Sequence, residues 1–322
     1  MVRTNPNENL AVEQFPDLNR SFYGSDPADY FRKRLDLLLL AAAKPRELDD
    51  MLAKGFSYGE ITVQQQESEP TDEDAASLQA FISTEAEVLL HHASEALLRL
   101  YLAHAEGQPC PWLECAGLTS FSVFKKRVTQ LRDEPIPAEH VSRVFLGRVS
   151  DGSDDAAKAH IDAMGRFLRL VAKRLLSDGH LYNSAKHGLA VLSGPASLAI
   201  TNDQTGESFG GGGPSLSFLE IETKENKDRI WYRTTRWIDA EQTMMQAHWV
   251  ITAMLNLWQI ARIRYTDAEI KGVQVLTTEA VDQFAGLGAT KGSPFTRSSF
   301  SLAYYQAAPP EDAAGRSATA GH

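Results

Sequence analysis

The chain has 322 residues, 43% of them hydrophobic and 23% charged, which is the make-up of an ordinary globular protein and excludes a fibrous or low-complexity one. Its 32 basic residues against 42 acidic ones leave a net charge of -10, which argues against wholesale coating by nucleic acid and leaves room only for a local basic stripe. The two cysteines, Cys110 and Cys115, are too few for a disulfide framework and point to a reducing compartment.

No uninterrupted apolar run reaches the ~18 residues a membrane span needs, and the first nine residues lack an apolar signal core. The expectation is a cytoplasmic protein with no membrane partner. His104 lies near the cysteine pair, but a fourth ligand is missing and the spacing is not that of a zinc knuckle. The thiols read as structural, and neither metal nor cofactor is expected.

Residues 1–25 read as an irregular arm. Asp26-Pro27 opens a helix through Leu38–Leu40, and Pro45 starts a short one that Gly55 stops. After an acidic linker at 64–74, residues 76–105 repeat Ala86, Leu89, Leu90, Ala93, Leu97, Leu100 and Tyr101 at helical spacing, the strongest apolar stripe in the chain. A loop is expected at 106–118, helices at about 119–132 and 137–149, a long helix at 154–177 and a short one at 181–191.

The period then falls from 3.6 to 2. Ala196–Thr201, Ser215–Thr223 and Arg229–Ile238 predict a three-stranded antiparallel meander, with a poorly ordered glycine-rich connection at 202–214. Asp239 caps a helix to about Tyr265, a short strand or helix follows near Val273–Phe284, and the tail from 307 to 322 reads as disordered. The expected fold class is mainly α: a helical bundle with a small antiparallel β insertion at about 195–238.

Two glycine-rich segments mimic catalytic motifs. Gly206, Ser208 and Gly210 fit a nucleophile elbow, but no strand-then-helix context surrounds them; Gly286 to Ser293 has a phosphate loop's composition without its order. Both read as loops. His91 and Glu95, four apart on the 76–105 helix beside His92, pair with each other or with a metal on its polar side.

His180, Asn183 and His187 carry more. Their spacings of three and four put them on one helical stripe, with Tyr182 and Lys186 expected on a different side. Arg166, Lys173, His180 and His187 recur every seven residues, so a helix continuing past Asp178-Gly179 presents a basic ridge, flanked by Arg174, that leads to the cluster. Cations position a phosphodiester and imidazoles move protons near neutral pH. The plainer reading is a solvated basic face ending in hydrogen-bonded histidines.

Two segments resemble the HEPN superfamily of helical-bundle proteins, many of them metal-independent RNases of toxin–antitoxin and defence systems. They are the helix from Glu87 to Leu102 and the sequence Tyr182-Asn-Ser-Ala-Lys-His-Gly188, which is similar to the family's Arg-Asn-x-x-x-His motif. The resemblance implies a single HEPN-like helical domain over 26–306. It implies His187 as the catalytic histidine, Asn183 as the polar residue orienting phosphate and His180 as a possible proton-transfer partner. Arg166, Lys173, Arg174 and Lys186 are then the candidate RNA-contacting cations. It further implies an RNA substrate, a homodimer and a possible protein partner or antitoxin. Tyr182 stands where the family has arginine, and Arg174, six residues before His180, does not share its helical face. A non-catalytic HEPN-like module that binds a nucleotide or a protein partner is the second expectation.

Overall fold

The computed structural model describes residues 10–63, 71–118, 120–148, 154–186, 190–201, 208–223, 229–266, 268–269, 276–286 and 299–304. The fold is mainly α with a small antiparallel sheet. Helix α1 spans Phe15–Phe22, α2 Pro27–Ala43, α3 Pro45–Ala53 and α4 Asp72–His104; α5 spans Pro111–Gly117, α6 Phe121–Asp133 and α7 Ala138–Phe145. Then come α8 over Asp155–Ser177, α9 over Gly179–Ala185, α10 over Ala240–Thr266 and α11 over Thr278–Gly286. No helix among the described residues is long and apolar enough to cross a membrane.

Helix α4 is the axis of the bundle. Its N-terminus is closed by a reciprocal capping box, in which Asp74 accepts from the Thr71 backbone at 2.8 Å and Thr71 accepts from the Asp74 backbone at 3.3 Å. Its 33 residues run roughly 50 Å, and from Ile82 onward the apolar stripe is buried against α10, α2 and α8. Side-chain oxygens also cap α2 (Asp26), α8 (Asp154) and α10 (Asp239), each accepting from backbone N–H groups of the first turn.

Strands β3 (Val191–Thr201), β4 (Ser208–Thr223), β5 (Arg229–Trp237) and β6 (Ser299–Tyr304) form one antiparallel sheet in the order β3-β4-β5-β6. Leu216 and Phe218 on its inner face, with Ile238 just past the end of β5, cluster with Leu181 of α9. A seven-residue helix does not persist alone in water. The β insertion therefore holds α9 in place.

The structure departs from the sequence reading at several points. Residues 181–191 are not one helix: α9 begins at Gly179 and ends at Ala185, and Val191 already pairs with Phe218. The arm contains α1, and the 106–118 loop contains α5; each opens with proline in its first turn and is too short for a full apolar stripe. The meander has a fourth strand, β6, from the far end of the chain. Gly210–Gly213 lie in β4 opposite Ala196–Ala199, not in a loop, and at Gly212 a Cβ would sit 3.2 Å from that of Ser197. Ser208 is likewise in a strand with no helix after it. A hairpin, β1 (Phe56–Tyr58) and β2 (Ile61–Val63), turns at Gly59, whose φ of 60° favours glycine. Residues 202–207, 287–298 and the tail from 307 to 322 lie outside the described residues.

Candidate functional site

Asp178 is the joint on which the site is built. Its N–H closes α8 on the Arg174 carbonyl at 2.9 Å, and its carbonyl accepts from Tyr182 N–H at 2.9 Å to start α9. Its buried carboxylate takes Arg174 Nε at 3.2 Å, Arg236 of β5 at 2.7 Å and the Ser177 hydroxyl at 2.9 Å. Arg174 also reaches Glu87 of α4 at 3.1 Å, and Glu87 accepts from Thr243 of α10 at 2.9 Å. This network ties α4, α8, α10 and the sheet together where α9 departs. Arg174, only 8% exposed, is thus a core cation and not the surface phosphate ligand its spacing suggested.

With Leu181 and Ala185 turned to the protein, α9 gives Gly179, His180, Tyr182 and Asn183 to a cleft of about 530 Å³. His180, Tyr182, Asn183 and Lys186 line it from α9, His91, Glu95 and Arg99 from α4, and Phe121, Phe124, Lys125 and Val128 from α6, with Leu175 and Leu176 of α8 beneath. The sequence expectation put His180 and Asn183 in a common cleft and sent Tyr182 and Lys186 elsewhere. All four line it, because the cleft wraps α9 between α4 and α6. His187, the third member of the stripe, lies outside the described residues. The basic ridge does not reach the cleft: α8 stops at Ser177, Lys173 is exposed along it, and Arg166 is paired with Asp282 of α11.

Tyr182 is committed to α4. Its ring stacks on His91 with centroids 3.9 Å apart, and Lys186 Nζ lies 5.3 Å from its centroid. Its hydroxyl is 2.6 Å from His92 Nε2. Arg34 of α2, which only donates, is 3.3 Å from His92 Nδ1, so Nδ1 is the acceptor and Nε2–H donates to the Tyr182 oxygen. The phenolic proton remains available to another acceptor. Burial first, then Glu95, raises the Tyr182 pKa; burial, then Arg34, lowers that of His92.

His91 is 8% exposed, and its buried Nδ1 has no hydrogen-bond partner among the described residues. Burial lowers its pKa to about 4 in spite of Glu95, Asp178 and Glu87 nearby, so it is neutral at pH 7. Glu95 accepts from Arg99 at 2.6 Å, and the Arg99 guanidinium lies 4.1 Å over the Phe124 ring. That carboxylate is therefore balanced, and Lys125 and Lys186 give the open cleft a basic lining. A cationic lining and the amide of Asn183 are groups that can hold an anion.

His91, Glu95, Arg99, Phe121 and Lys125 were not expected in the site. The local signals are the His91–Glu95, Glu95–Arg99 and Phe121–Lys125 spacings of four. Elsewhere, Cys110 is buried and Cys115 half-buried, and burial pushes the Cys115 thiol up to about 12. His104 is taken up by Tyr23 at 2.5 Å and by the Leu100 carbonyl at 2.6 Å. No cluster of three or more metal-binding side chains occurs among the described residues. The chain matches no protein-family profile, no curated protein and no solved structure.

Proposed function

We propose that the protein is a HEPN-like endoribonuclease that works without a metal, with the cleft between α4, α6 and α9 as its RNA site. The observation that carries this reading is the convergence of His180, Asn183 and Lys186 from α9 with Lys125 from α6 on one cleft. In the reaction, a 2′-hydroxyl attacks the adjacent phosphorus and the 5′-oxygen leaves. A base takes the 2′-proton and an acid returns one to the leaving oxygen, giving a 2′,3′-cyclic phosphate and a 5′-hydroxyl. His187 and His180 are assigned these two proton transfers, which contribute ~10²–10⁴-fold. Asn183 orients the phosphate, and Lys186 and Lys125 offset the charge that develops on it. A homodimer and a place in a defence or toxin-type system belong to the same proposal.

The second reading, a non-catalytic module that binds a nucleotide or a partner, is favoured by one observation. Tyr182, which stands at the motif arginine's position, and Arg174, the arginine six residues before His180, are both held by other contacts. Incubating the purified protein with RNA in EDTA separates the two. Cleavage that disappears in His180→Ala and His187→Ala supports the nuclease; tight binding without cleavage supports the module.

A further inference from the structure

We propose that Phe121 is a stacking platform for an unpaired nucleobase, so that the cleft selects a nucleotide that has left its helix. The inference rests on the reading of the cleft as a phosphate site. Phe121 is the first residue of α6, 59% exposed, yet it lines the cleft. Large aromatic side chains are normally drawn into the core. Its neighbour one turn on, Phe124, is fully buried beneath the Arg99 guanidinium, so packing of α6 is satisfied without Phe121.

Lys125 lies four residues after Phe121 on the same helix face, with Cβ atoms about 5–6 Å apart. Both side chains open to the cleft. That places an aromatic face and an ammonium group roughly as far apart as a base and its own phosphate. Across the cleft, Lys186, His180 and Asn183 offer the next phosphate a cation and hydrogen-bond donors. The volume of about 530 Å³ suits one or two nucleotides. A duplex is held along an extended surface and keeps its bases stacked on each other, so it offers Phe121 no free face. Stacking on an aromatic is tolerant of base identity, which predicts weak sequence preference at this position.

The test is fluorescence anisotropy with a labelled single-stranded RNA dodecamer and a blunt RNA duplex of the same sequence, using a catalytically silent His187→Ala background. Free AMP as competitor distinguishes an isolated nucleotide from one within a strand. The expected result is that Phe121→Ala weakens single-strand binding about five- to hundredfold. Phe121→Trp restores or improves it, Phe121→Leu does not, and duplex binding is unchanged. If Phe121→Ala binds the single strand within twofold of its parent while Lys186→Ala weakens it, the platform is refuted and the phosphate site stands. If the parent binds neither RNA nor AMP, the reading of the cleft falls and the platform with it.

Discussion

The His91 imidazole lies flat on the Tyr182 ring, 3.9 Å between centroids and 9° between planes, joining the central helix to the short helix that carries the cleft. The same tyrosine accepts the Nε2–H of His92, so one side chain fixes the turn of α9 against α4 by a stack and a hydrogen bond.

Tyr182→Phe keeps the stack and removes the acceptor of a half-buried N–H. The expected cost is about 1 kcal/mol in unfolding free energy. Tyr182→Ala removes both and costs more. Urea denaturation of the two variants checks the order; equal midpoints would mean that neither contact holds α9.

Leu181→Ala tests the role of the sheet. Leu181 is buried among Leu216, Phe218 and Ile238, and its loss leaves a cavity worth about 2–5 kcal/mol. Because α9 depends on this contact, RNA binding is expected to weaken even at temperatures where the rest of the chain remains folded by circular dichroism. Unaltered binding in a destabilised variant would separate the sheet from the cleft.

Arg174→Met leaves Glu87 and Asp178 buried without their shared cation, although Thr243, Arg236 and Ser177 still reach them. Breaking a buried pair from one side costs about 3–5 kcal/mol. A surface phosphate ligand behaves in the opposite way, losing affinity and little stability. Thermal melts read alongside RNA titrations distinguish the two, and a variant that melts like the parent would restore Arg174 to the surface.

The sequence disclosed what lies within single elements and hid what lies between them. The stripe from Ala86 to Tyr101 and the caps at Asp26 and Asp239 are local, and each marks its helix. The two strands of β1–β2 were equally local, with Phe56, Tyr58, Ile61 and Val63 alternating around Gly59, but each is only three residues long. Strand β6 joins β5 across more than sixty residues, a pairing no periodicity reveals. The site divides in the same way. His180 and Asn183 share a helix and were legible, whereas Phe121 and Lys125 reach the cleft only through the packing of α6 on α8. Arg174 stands beside the heptad series without belonging to it, and neither that position nor the resemblance tells what covers the side chain; its spacing of four from Asp178 is the local sign of an internal pair.

Acid is expected to destabilise the fold before the ordinary carboxylate range. Burial holds both His91 and His104 at a pKa of about 4, below the unfolded value near 6.5. The unfolded chain therefore takes up protons that the native one refuses. Stability is full above about pH 6.5 and falls as pH drops toward 4, by about 3 kcal/mol per histidine at the limit. Half-buried His92 and buried His160 shift in the same direction. Urea midpoints at pH 7.5, 5.5 and 4.5 should decline in that order, and a midpoint unchanged across this window would contradict the buried, neutral state of these rings.

Whether the α4/α6/α9 cleft cleaves RNA by proton transfer alone is tested most directly by incubating total RNA and tRNA with the purified protein in excess EDTA and identifying the termini of the products. The expected result is cleavage that yields 2′,3′-cyclic phosphate ends and falls at least ~100-fold in His180→Ala and His187→Ala at an unchanged melting temperature. No cleavage by the parent protein, or full activity in both variants, would contradict it.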